Sequence, residues 1–148
     1  MSEPISEQIV LAVFEKLSGI TGYEELYIER NRDAAVTRFP TLVLYDGDIT
    51  VSYENTGRVE NFLSIRVDGY VTPIGDAQTG TLINRLCGQI VQAVLADFTL
   101  GGLCYDIEEG ERSVVVSNEE GQTPLSFFSM PFVIKYSTAF GDPFTLVP

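Results

Sequence analysis

Apolar residues recur every four positions at Ile5, Ile9, Val13 and Leu17, with Val10, Ala12 and Phe14 widening the stripe. A stripe of that width is the buried face of a helix, so the spacing predicts one over Ile5–Ser18, closed by Gly19. Pro4 falls in the first turn, where a missing N–H costs nothing, and Glu3 and Glu7 suit the positive end of the helix dipole. Leu11 lies between Glu7 and Glu15 on the polar side, either as an isolated exposed leucine or as a contact in an oligomer. A second stripe at Leu82, Leu86, Ile90 and Val94, broadened by Ile83, Cys87, Val91 and Phe98, predicts another helix. Asp76 is placed to be its N-cap, and Gly101-Gly102 its end.

Between the helices the period changes from four to two. Residues 26–30 alternate like a short strand, and residues 41–45 form a compact apolar run entered from Phe39-Pro40. Asp46-Gly47 then reads as a turn. Residues 48–61 carry Asn55, Thr56 and Gly57 at their middle, the pattern of a hairpin or a projecting arm. Leu63, Ile65 and Val67 alternate with Ser64, Arg66 and Asp68, which predicts one buried face and one wet face. After the second helix, residues 104–107, 113–117 and 125–136 read as three further strands, and Pro131 in the last demands an edge position or a bulge. The pattern is that of an α+β domain: a single, largely antiparallel sheet with two main helices packed on one face. A chain of 148 residues suits one domain, residues 1–148, with no linker or internal repeat.

Composition removes most catalytic chemistry. Twenty-one acidic side chains stand against nine basic ones, a net charge of -12, and histidine is absent. Without histidine there is no Ser-His-Asp or Cys-His pair, and no side chain titrates near neutrality unperturbed. The negative charge repels phosphates and argues against sequence-directed DNA binding. Cys87 and Cys104 are too few for a disulfide framework and read as core residues in a reducing compartment. The acidic N-terminus is unlike a secretory leader and no apolar run reaches membrane-spanning length, so folding in a cytoplasm is the expectation.

Three constellations remain. Asp46 and Asp48 flank Gly47, a spacing that can grip a divalent cation but is also the commonest hairpin signal; the turn is the leading reading. Arg30, Arg32 and Arg38 lie close together and can offer bidentate donors to carboxylates of a neighbouring subunit. Asp106, Glu108, Glu109, Glu111, Glu119 and Glu120 form an acidic stretch opposed only by Arg112. An arginine-bearing segment set apart from an acidic one suits head-to-tail contacts between identical subunits, where closure gives a ring.

The ending Tyr136-Ser137-Thr138-Ala139-Phe140-Gly141-Asp142-Pro143 resembles the close of tail terminator proteins from long-tailed bacteriophages and related tail-like particles. The stretch Phe39-Pro40-Thr41-Leu42-Val43-Leu44-Tyr45-Asp46-Gly47 is similar to the proline-apolar-Asp-Gly strand of that family. An alternating strand, a helix through Asn84, Leu86 and Ile90, and Asp97-Phe98-Thr99-Leu100-Gly101-Gly102 follow in the same order, so the likeness spans nearly the whole chain.

The resemblance implies a small virion subunit, assembled in the bacterial cytoplasm, that forms a homo-hexameric ring on the finished tail tube. There it would stop polymerisation and present a surface to the head-tail connector, while DNA passes through without specific binding. It brings no catalytic residues, cofactor, metal or membrane contact. The expected contacts with a neighbouring subunit or the tube are Arg30, Arg32, Arg38, Leu11, Phe144 and Leu146, with the acidic stretch lining the channel. Residues 48–61 would be an arm reaching a neighbour, and residues 141–148 an extended tail, either disordered or a strap on another subunit. A head-side completion or adaptor protein of the neck is the nearest alternative. From another class comes a carboxylate-dependent metal enzyme built on Asp46, Asp48 and the Glu108-Glu109 pair.

Overall fold

The structure, a computed structural model, describes residues 3–55, 57–72, 76–117 and 125–147. In chain order the elements are α1 (Ile5–Ser18), β1 (Tyr27–Arg30), β2 (Thr41–Asn55), β3 (Arg58–Val71), α2 (Asp76–Leu95), β4 (Asp106–Glu109), β5 (Ser113–Ser117), β6 (Leu125–Ala139) and β7 (Asp142–Leu146). The fold is α+β, with a mixed but mostly antiparallel sheet. β6 organises it. One flank of β6 pairs with β3 from Ser126 to Ala139, while the other is shared in turn by β5, β4 and β7. β2 lies beyond β3, and β1 adds to β2 in parallel.

Both helices cover the same face. One cluster joins Ile9, Val13 and Leu17 of α1 and Leu86, Ile90 and Val94 of α2 to Leu42, Leu44, Leu63, Ile65, Val67, Phe128, Phe132 and Ile134 of the sheet. A helix of 14 residues is marginal in water by itself, so this docking holds α1 in place. The opposite face is less wet than the alternation of β3 predicts, because Thr41, Val43 and Asp68 are buried there. Flat side chains shelter that face: Arg66 lies over the Tyr45 ring at 4.2 Å, Arg38 over Tyr27 at 4.0 Å, and Tyr70 packs on Phe127 at 5.2 Å.

Asp46-Gly47 is not a turn. β2 runs straight through it, and the register with β3 slips between Asp46 and Ile49, leaving an extra residue on β2. A β-bulge needs a glycine here, since a Cβ on Gly47 would come within 2.3 Å of the Ser64 carbonyl oxygen. The described residues of the expected arm, 48–55 and 57–61, are accordingly the far half of one long hairpin, paired along β3 to β6, and not a separate arm. Pro131 takes neither a bulge nor an edge strand, because β6 stays in register with β3 through it. It sits in the gap between the segments of β6 paired to β5 and to β4, where its missing N–H costs no ladder bond and the Gly110 N–H donates to its carbonyl at 2.8 Å.

α2 ends at Leu95, before Gly101-Gly102, and its first helical residue is Asp76. The Asp97 carboxylate accepts from the N–H groups of Thr99 and Gly101 at 3.1 and 2.8 Å, folding the chain into a compact turn instead of another helical turn. Phe98, expected on the apolar face of α2, is therefore exposed, and Leu100 enters the core in its place. The C-terminal tail is a strand of its own sheet. β7 folds back through a tight turn at Phe140-Gly141, where Gly141 has φ +72°, and the Val147 N–H donates to Ser137 at 3.0 Å. Leu146 packs against the core.

Candidate assembly surface

Two hairpins end together at one end of the sheet. The Phe140 N–H, in the β6–β7 turn, donates to the Gly57 carbonyl in the β2–β3 turn at 3.1 Å. Just behind, the rings of Tyr53 and Phe140 meet edge to face with centroids 6.0 Å apart. Ile49, Val51 and Tyr53 point to one face because strand side chains alternate, and pairing of Ile49 with Leu63 and Val51 with Asn61 makes it the helix-bearing face. Yet the helices leave them bare: Ile49, Val51, Tyr53 and Phe140 are 43%, 44%, 64% and 67% exposed. Behind them the dry core closes on a buried amide, with Asn61 Nδ2 donating to Thr138 Oγ1 at 3.0 Å and to the Tyr136 carbonyl at 3.3 Å.

This apolar row escaped the sequence reading. The alternation in Ile49-Thr50-Val51-Ser52-Tyr53 is visible in the chain, but only the tertiary placement of the helices shows that they do not reach it.

The arginine cluster is largely spent within the protomer. Arg30 donates to both oxygens of Glu7 at 2.8 and 2.7 Å and to both oxygens of Asp46 at 3.1 and 2.5 Å, tying α1 to β1 and β2. Its hydrogen bonds hold the Glu7 carboxyl below its ordinary range and push the Arg30 guanidinium up. Arg32 binds Glu29 at 2.7 Å and the Ala35 carbonyl at 2.8 Å, and Arg38 approaches Glu29 at 3.7 Å while lying on Tyr27. Such partners are remote in sequence or set by folding. Leu11 and Phe144 are exposed, whereas Leu146 is mostly withdrawn into the core, so only the first two present apolar surface to another chain.

The acidic stretch divides. Asp106 and Glu108 flank Lys135 on β6, at 3.7 and 2.5 Å, and the bond from Lys135 to Glu108 raises the ammonium pKa. Glu109 and Glu111 are exposed. Glu119 and Glu120 lie outside the described residues. The proposed carboxylate pairs do not converge: Asp46 and Asp48 are on β2 and Glu108 and Glu109 on β4, with β3 and β6 between them, a separation of about 14 Å at the usual strand spacing. Asp46 is also occupied by Arg30.

An open groove of about 640 Å³ runs between the C-terminal ends of α1 and α2, lined by Glu15, Lys16, Gln89, Gln92 and Asp97 over Ala12, Ala93 and Leu100. Its polar groups largely serve the fold. Gln89 joins the Tyr23 hydroxyl at 2.5 Å to the Thr21 carbonyl at 2.9 Å, and the bond from Thr99 keeps Asp97 below the usual carboxylate range. Both cysteines are buried thiols; desolvation pushes Cys104 up to about 12 and raises Cys87 against the opposing effect of Arg112. Neither is an activated nucleophile.

No protein-family model matches the chain, and no curated protein matches it.

Proposed function

We propose that the protein is a structural subunit that forms a ring on the finished end of a phage tail tube, ends tube growth and offers the head connector its docking surface. One observation carries the reading. The residues of the closing phrase that resembles tail terminators form the end of β6, the tip turn and the start of β7, and its Phe140 joins Tyr53 in an exposed aromatic surface. Exposed apolar patches of this kind mark protein contacts.

The charge distribution supports the same reading. Arg30, Arg32, Arg38, Arg66 and Lys135 are engaged by carboxylates of their own chain, leaving little positive charge to hold DNA in a channel. A ring that caps a tube must copy the docking face of a tube subunit on one side and withhold it on the other, so that growth stops.

Electron microscopy of the purified protein mixed with tail tubes tests this. Six-fold rings at one end of each tube are expected. Rings that ignore tube ends and bind the isolated connector would assign the protein to the head side of the neck, and protomers that bind neither would sink the assembly reading.

A further inference from the structure

The far half of β2 is an open sheet edge. On its outer flank β2 is paired with β1 only from Thr41 to Leu44, and the last contact on that side is the Asp46 N–H donating to the Asn31 side chain at 2.9 Å. There the chain turns away, with Asn31 in the left-handed region at φ 51°, and the Gly47 bulge follows. From Ile49 to Ser52 the strand pairs with β3 alone among the described residues. Native edges are usually blunted by lysine, proline, an inward charge or a bulge. Ile49-Thr50-Val51-Ser52-Tyr53 carries no lysine, proline or charge, and its blunting is confined to the register shifts that bound it, Asp46 to Ile49 and Ser52 to Asn55. It combines unpaired main-chain groups with a row of three exposed apolar side chains that continues the core face.

We propose that this edge takes an added β-strand from a partner protein, an extended segment alternating apolar residues with lysine or arginine. The backbone supplies the pairing groups, and the partner's apolar side chains would complete the row at Ile49, Val51 and Tyr53. Charge decides what else the segment carries. Near this edge Glu7, Asp46, Asp48 and Glu60 lie beside Arg30 and Arg58, each already bound to carboxylates, and Arg66, over the Tyr45 ring, is bound to Asp68. A basic strand answers that surplus. A second copy of this chain is the poorer occupant, since it brings another net charge of -12 and sets its own Asp48 at the seam.

The inference shares Tyr53 with the tip surface used in the ring reading, but its pairing groups and the side chains of Ile49 and Val51 lie outside that tip, so the two can fail separately. It is tested with the full chain and a labelled ten-residue peptide alternating valine and lysine, read by fluorescence anisotropy at 0.15 M salt. Saturable binding is expected. It should weaken at least about tenfold for the Ile49→Ser, Val51→Ser variant, and as much for a peptide N-methylated at alternate residues, which loses several strand hydrogen bonds. The methylated peptide leaves the protein untouched, so its result stands even if the variant misfolds. Equal binding of both peptides would reduce the attraction to charge alone and overturn the proposal. A monomer–dimer equilibrium abolished by Val51→Lys would also overturn it, by making a second copy the occupant.

Discussion

The ring of Phe128 lies across Gly69 so closely that a Cβ built on that glycine would come within 2.0 Å of the ring Cζ. The two are cross-strand partners on β3 and β6, and the glycine lets a fully buried aromatic lie flat on the sheet beneath the helices. Gly69→Ala must therefore displace one of the largest fully buried side chains of the core. We expect it to cost about 3 kcal/mol, at the upper end of overpacking effects. Gly80 and Gly88, in the middle of α2, have open space around them, with nothing within 4 Å of where an alanine methyl would sit. Each Gly→Ala change there should stabilise the fold by about 0.5–1 kcal/mol. Urea unfolding of the three variants checks the contrast, and equal effects would refute this account of the core.

The Glu7–Arg30 pair gives a pH dependence whose sign is fixed. The bond from Arg30 lowers the folded-state pKa of Glu7 below its ordinary 4.5. A depressed carboxyl contributes stability that is present above the unfolded pKa and lost as pH falls through the folded value. Both groups are partly exposed, so the effect is modest. Glu7→Gln should cost about 0.5–1 kcal/mol at pH 7 and almost nothing once the wild-type carboxyl is protonated. Thermal unfolding of both proteins from pH 7 down to pH 3 should show their melting temperatures converging; a constant gap would mean that the pair contributes nothing through its charge.

Deletion of residues 144–148 separates a strap on another subunit from a strand of the same one. From sequence the deletion is expected to leave the monomer's melting temperature unchanged and to weaken assembly. β7 instead pairs with β6, and Leu146 packs on the core. Its removal should cost about 2 kcal/mol through lost burial and main-chain bonds, a fall of about 4–8 °C. Phe144→Ser, at an exposed position of the same strand, should stay within about 0.5 kcal/mol. Calorimetry on both variants decides the matter, and an unaltered melting temperature for the deletion would return the tail to a neighbour.

Periodicity made the helices and the central strand legible. The bounds of α1 are those of its apolar stripe, and Leu63, Ile65 and Val67 face the core as their alternation requires. What failed was local punctuation whose meaning depends on distant partners. Asp46-Gly47 is a turn signal in isolation, but the nearby Ser64 carbonyl makes it a bulge. Gly101-Gly102 marks a chain reversal, yet the Asp97 cap stops α2 first. Likewise the three arginines have the chemistry of intersubunit donors, and their destinations, Glu7, Asp46 and Glu29, are set by the packing of α1 and β1. The exposed row on β2 was beyond reach for the same reason: burial is a property of the helices above it.

Assembly should depend on salt in the direction opposite to most charge-driven association. Each protomer carries a net charge of -12, and bringing copies side by side concentrates like charge around a common axis. The three arginines read from sequence as bridges between subunits are held by internal carboxylates, so in the proposed ring attraction between protomers would rest on apolar surfaces such as the Tyr53–Phe140 tip. At low ionic strength the repulsion is long-ranged. At physiological salt it is screened over about 8 Å. The free protein should therefore sediment as a monomer in dilute buffer and shift to larger species as salt or magnesium is added, with magnesium acting at lower concentration. Tyr53→Ser, Phe140→Ser should abolish the shift without changing the far-ultraviolet spectrum. Dissociation on adding salt would instead mean that complementary charges hold the subunits, and would return the arginine and acidic segments to the interface.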